Sequence, residues 1–171
     1  MLVYIRKAVK EDLPAIIKII DNAKQLLKED GSPQWQDGRP NQAMFEQDIA
    51  LKRAYVLVVK QKIAGVAVLQ TTPDSSYAKI TGKWHNNQSP YATIHRIAID
   101  SEFRGQHLGQ TFISNLLSCA IALGFSNFRI DTHALNKRMQ ALIESMGYQY
   151  CGIVQVDQTE DGARYAYELN L

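Results

Sequence analysis

The chain has 171 residues, 46% of them hydrophobic and 21% charged, a balance that excludes a disordered or fibrous protein and suits one hydrophobic core. Nineteen Lys and Arg face 17 Asp and Glu for a net charge of +2, too little positive charge to predict nucleic-acid binding. Apolar runs such as Val56–Val59 with Ile63–Leu69 fall far short of the ~20 residues that span a bilayer, so no membrane partner is expected.

The start, Met1-Leu2-Val3-Tyr4-Ile5-Arg6, lacks the pattern of a signal peptide. With only Cys119 and Cys151, neither in a CxxC pair, a disulfide scaffold is not expected. Reduced thiols in a cytoplasmic protein are, and no metal is expected. Residues 2–7 alternate as a strand. Leu13, Ile16, Ile17, Ile20, Ala23 and Leu27 form a helical stripe, which Gly31-Ser32-Pro33 ends. A polar loop carries Trp35, and Ala43–Lys52 reads as a second helix. Residues 54–60 and 62–70 read as a hairpin, with Gly65 marking close backbone approach or a weak spot.

From Thr71 to Pro90 the chain is polar and turn-rich, and Tyr77–Trp84 reads as a short strand or a flap. Tyr91–Asp100 is a strand apolar enough to be buried on both faces, with Ile97 and Ile99 sharing one of them. Leu108, Phe112, Leu116 and Ala120 recur every four residues along a third helix. Phe128–Thr132 is a strand, Asn136–Met146 a helix closed by Gly147, and Tyr148–Val156 with Ala163–Leu169 a terminal hairpin. The order β α α β β β α β α β β predicts one mixed α/β domain over residues 1–171.

The stretch that carries chemistry is Ile97-Ala98-Ile99-Asp100 running through Arg104-Gly105-Gln106-His107-Leu108-Gly109-Gln110 into a helix. A helix start leaves backbone N–H groups free and carries about half a positive charge, which suits a pyrophosphate. Arg104 adds a formal charge there, and Gly105 and Gly109 leave room for a ligand to approach the backbone. The spacing matches neither the P-loop nor the dinucleotide fingerprint.

Arg104-Gly105-Gln106-His107-Leu108-Gly109 resembles the cofactor loop R/Q-x-x-G-x-G/A of the GNAT superfamily of acetyl-CoA-dependent N-acetyltransferases. It departs at one position, where His107 replaces a Gly. Asp131-Thr132-His133-Ala134-Leu135-Asn136 followed by Leu142–Tyr148 resembles the family's strand, Asn-led helix and closing Gly-aromatic pair. Ile5-Arg6-Lys7-Ala8 with Glu11-Asp12-Leu13 resembles its N-terminus. The resemblance implies a GNAT-like fold: a mixed sheet flanked by helices, splayed between Tyr91–Asp100 and Phe128–Thr132.

It further implies that the pantetheine arm of acetyl-CoA pairs with Ile97, Ala98 and Ile99, and that the pyrophosphate sits on the amides of Arg104 to Gly109 and Gln110. Asn136 would approach the thioester, cap its helix, or do both. The reaction implied is acetyl transfer to a primary amine of a small molecule or peptide. A catalytically weak CoA-binding sensor is the alternative, and a homodimer is left open.

Transfer requires a neutral amine, hence a base. His95 and His133 are the candidates, because an imidazole titrates near neutral pH. The alternatives are a satisfied core histidine for His95 and a strand-end hydrogen bonder for His133. Ala98 is the expected oxyanion donor. The tyrosine that protonates the departing thiolate in many relatives aligns with Ile143, which has no proton to give. Trp35, Tyr91 and Trp84 are candidates for an aromatic substrate wall, the alternative for Trp35 being a ring folded back onto the first helix. Glu46 and Asp48 either attract a cationic amine or, as their helical spacing favours, form a solvated face.

Overall fold

The computed structural model describes all residues, Met1–Leu171. Strand β1 (Val3–Lys7) leads through one 3-10 turn into α1 (Leu13–Glu29), and α2 (Gln42–Ala50) follows a loop. Strands β2 (Ala54–Val59) and β3 (Lys62–Gln70) form the expected hairpin. A short β4 (Ile80–Gly82) precedes β5 (Ala92–Ile99), then come α3 (Leu108–Ala122), β6 (Asn127–Thr132), α4 (Lys137–Ser145), β7 (Gln149–Gln155) and β8 (Ala163–Asn170). The eight strands form one sheet in the order β1-β2-β3-β5-β6-β8-β7-β4. Every pairing is antiparallel except β5 with β6.

Helices cover both faces because each turns an apolar stripe to the sheet. Ile16, Ile19 and Ile20 of α1 pack with Phe45 of α2 on Val56, Val58, Val66 and Val68. On the other face Leu108, Phe112, Ile113 and Leu116 of α3 and Ile143 of α4 pack on Leu57, Ala67, Ile94 and Ile130. The helix-facing strands are buried on both sides, which is why they read as near-continuous apolar runs.

The polar stretch between β3 and β5 is packed down. Tyr77 and Trp84 are 2% and 3% exposed and form a small cluster with Cys151, Val154 and Ala166. Arg129 of β6 lies between the rings of Trp84 and Tyr91, 4.1 Å from each centroid. Its Nε donates to Glu168 at 3.1 Å, and the other Glu168 oxygen accepts the amides of His85 and Asn86. One buried ion pair, with Arg129 Nη2 also donating to the Asn86 carbonyl, thereby fastens a loop whose composition promised little order.

Candidate active site

The seam between β5 and β6 organises the site. These parallel strands pair only at Ala92–Phe128 and Thr93–Arg129, and beyond Thr93 they diverge. A cavity of about 1020 Å³ fills the gap, lined by Ile94–Ile99 on one side and Ile130–Thr132 on the other. It also reaches Trp35, Arg104, Gly105, His107, Leu108, Gly109 and Asn136. Gln106, Gln110, His133 and Tyr91 lie outside its lining.

A bulge sets which groups of β5 face the cavity. The register against β3 passes from Val66 opposite Ala98 to Val68 opposite His95, so Ala67 faces both Arg96 and Ile97. Arg96 sits at φ 51°, a left-handed conformation that costs a non-glycine residue about 1–2 kcal/mol. Strict alternation would put His95 on the face of Ile97 and Ile99. The extra residue moves it to the α1/α2 face with Ala98. The amide of Asp100 bonds to the carbonyl of Ala64 opposite it, so by the two-residue alternation of an antiparallel ladder the Ala98 N–H turns to β3. That corrects Ala98 as oxyanion donor: its amide is already engaged, and the backbone of Ile99 turns to the seam instead.

At the α3 end, a 3-10 turn at Ser101–Phe103 leads into an extended Arg104, Gly105 at φ 77° and His107 at φ 56°. Residues Arg104 to His107 are exposed. His107 thus takes, with a side chain, the left-handed conformation that glycine adopts freely. Gly109 does not leave open space: a Cβ there would sit 3.0 Å from Leu142 Cδ2, so this glycine lets α3 and α4 approach.

On the α1/α2 face, His95 Nε2 lies 3.0 Å from Asp74 Oδ2, both side chains under one-fifth exposed. The Tyr91 hydroxyl accepts the Asp74 amide at 2.9 Å, and Asp74 in turn caps the turn at Ser76. The hydrogen bond from His95 holds the Asp74 carboxyl below its ordinary range. Nearby, the Tyr77 hydroxyl donates to Asp131 Oδ2 at 2.5 Å. Burial, with the Asp131 charge behind it, pushes that phenol well above its ordinary value.

Asp48 corrects a sequence expectation. It is 0% exposed, not solvated. Its carboxylate accepts Arg53 Nε at 2.7 Å and Arg96 Nε and Nη2 at 3.0 and 2.9 Å. All three residues reach the cavity. Helical spacing hid this because the face of α2 that carries Asp48 is covered by the bulged strand.

The α1–α2 loop closes one side of the cavity. Trp35 stands at φ 64° and packs against the α1-side core. Gln34 Oε1 accepts Asn136 Nδ2 at 3.0 Å and the His133 amide at 3.3 Å, and Arg39 bonds to Asp37 beside it and to Asp157 of the β7–β8 turn. Asn136 Oδ1 also caps α4 by accepting the Met139 amide at 3.2 Å.

His133 is 8% exposed, and its Nδ1 accepts the Leu135 amide. Burial holds its imidazole below the ordinary value. Its position makes it a strand-end hydrogen bonder away from the cavity. Tyr91 and Trp84 stack on Arg129 and form no substrate wall. Ile143 is fully buried in the core, and no tyrosine lines the cavity. Sequence reasoning missed Asp74, Asp131, Arg53 and Arg96, which only the tertiary fold brings together. Outside the cavity, ligand atoms of His85, Cys151 and Glu168 lie within 4.8 Å of one another, with Glu168 already held by Arg129.

The profile of the acetyltransferase (GNAT) family matches residues 20–148. A GNAT-family acetyltransferase from Streptococcus agalactiae is 36% identical, with a TM-score of 0.89 over 99% of this chain and 95% of its own. One from Listeria monocytogenes, 22% identical, shares the fold with a TM-score of 0.76 over 99% of this chain and 95% of its own. The Bacillus subtilis (strain 168) protein described as uncharacterized N-acetyltransferase YesJ is 24% identical over 151 residues, 87% of this chain and 83% of that protein.

Proposed function

The chain belongs to the acetyltransferase (GNAT) family, and on that premise we propose that it moves acetyl from acetyl-CoA to a primary amine of a small molecule or peptide. The observation that carries this reading is the seam: β5 keeps its pairing to β6 only through Thr93, and the unpaired backbone beyond it borders a cavity. The fit to a CoA thioester rests on chemistry. An extended backbone edge offers hydrogen bonds to the amides of a pantetheine arm, as an added strand would. The Arg104 cation and the amides of Gly105–Gly109 suit a pyrophosphate, while the Arg104 amide is taken by the Ser101 carbonyl.

The acceptor approaches from the α1/α2 face. His95 takes the proton from the amine as its nitrogen attacks the thioester carbonyl. Asp74 holds the imidazole in register. The C–N bond forms, the C–S bond breaks, and seam-side N–H groups of β5 stabilise the carbonyl oxygen between the two events. CoA leaves as a thiolate and takes its proton from solvent, since no tyrosine faces it. Asn136, tied to Gln34, orients the α4 end of the slot.

Acetyl-CoA at one hundred times its Kd should stabilise the protein by about 2.7 kcal/mol, whereas ATP should not. Arg104→Glu should weaken acetyl-CoA binding about tenfold in calorimetry by reversing the charge beside the phosphates. Unchanged affinity removes Arg104 from the site. A thiol-release assay over a panel of amines then separates an enzyme from a CoA-binding sensor: tight binding with no amine-dependent release favours the sensor.

A further inference from the structure

We infer that the acceptor is a small amine that also carries a carboxylate, and that Arg53 and Arg96 receive that carboxylate. The inference rests on the acetyl-transfer reading and deepens it. The buried Asp48 is one negative charge shared by two guanidinium groups, which leaves one positive charge uncompensated on the acceptor side of the seam. Asp48 engages Nε of Arg53 and Nε with Nη2 of Arg96. Both terminal nitrogens of Arg53 and Nη1 of Arg96 make no bond within the protein.

The two side chains are 26% and 18% exposed, and both line the cavity. Guanidinium groups fixed in place with N–H groups to spare suit a carboxylate, which accepts two parallel hydrogen bonds. Arg96 holds this position only through its left-handed bulge, and it directly follows His95. The cation and the base therefore come from adjacent residues of one strand. Around the same cavity Asp74 is bonded by His95 and Asp131 by the Tyr77 hydroxyl, and no arginine bonds either carboxylate, although the Arg164 guanidinium lies near enough to feel the Asp131 charge. The acceptor half thus has a cationic pole and an anionic pole, and a molecule bearing both an ammonium and a carboxylate matches both. A plain polyamine would leave the cationic pole facing a like charge.

The test uses the intact protein and matched acceptors: amino acids, their primary amides, and the corresponding amines lacking the carboxylate. Loss of the carboxylate should lower kcat/KM at least about tenfold, chiefly through KM. Arg53→Gln, in which Asp48 keeps its two bonds from Arg96, should bring the acid-to-amide ratio down toward one, with Tm reporting whether the fold holds. Equal use of acids and amides, within about twofold, overturns the inference and leaves acetyl transfer standing. If no carboxylated amine is acetylated, the inference is likewise overturned. Acetyl-CoA calorimetry on the same preparation then shows whether the acetyl-transfer reading survives.

Discussion

His95 is the residue on which the proposed chemistry turns, since it is the one histidine at the seam that pairs with a carboxylate inside the cavity. His95→Gln should lower kcat/KM by about 10²–10⁴ and abolish the acid limb of the pH profile. A profile that keeps its acid limb removes the imidazole from the reaction. Asp74→Asn keeps the shape but loses the charge 3.0 Å from the imidazole, so kcat should fall by less than in His95→Gln. His107 gives a separate measurement. Replacing it with Gly at φ 56° should raise stability by up to about 1 kcal/mol in denaturant unfolding and leave acetyl-CoA affinity intact. The Arg-x-x-x-x-Gly frame of that loop was legible because a helix start announces itself locally. The base was legible only as a choice between His95 and His133, because burial and partners come from other elements.

Among the elements, α2 is attached to the sheet by charge as well as by Phe45. Asp48→Ala would leave two arginines half-buried without their counter-ion and should cost about 3–5 kcal/mol, read as a lower urea midpoint at unchanged m-value. A cost under about 1 kcal/mol would show that solvent reaches the pair and that the carboxylate is dispensable. The bulge in β5 belongs to this scale too. Periodicity predicted the strand and the shared face of Ile97 and Ile99, which pack toward α3. It could not reveal one extra residue opposite Ala67, because a bulge adds a residue without altering composition. That extra residue carries His95 to the α1/α2 face and turns the neighbouring backbone amides. The β3–β5 stretch was legible only as loop or strand, since its order comes from Arg129, Glu168 and two aromatic rings distant in sequence.

The whole molecule should lose stability in acid through carboxylates that the fold holds ionised. Arg6, hydrogen-bonded to Asp12, lowers that carboxyl, as His95 lowers Asp74. Their contributions are present above the ordinary carboxylate value near 3.9 and vanish as pH falls through the lower folded values. Stability should therefore stay level down to about pH 5 and drop below about pH 4, and Asp12→Asn should flatten that drop. A fall already complete at pH 5 would mean that other groups dominate. Helices, strands and the glycine-containing loop before α3 follow from the chain alone, because period, caps and turn residues act over a few positions. No helix is long and apolar enough to cross a membrane, as composition also implied. The seam, the bulge and the two charged poles follow only from tertiary structure. Each is a relation between residues up to a hundred positions apart, and short-range pattern holds no information about which distant charges will share one buried space.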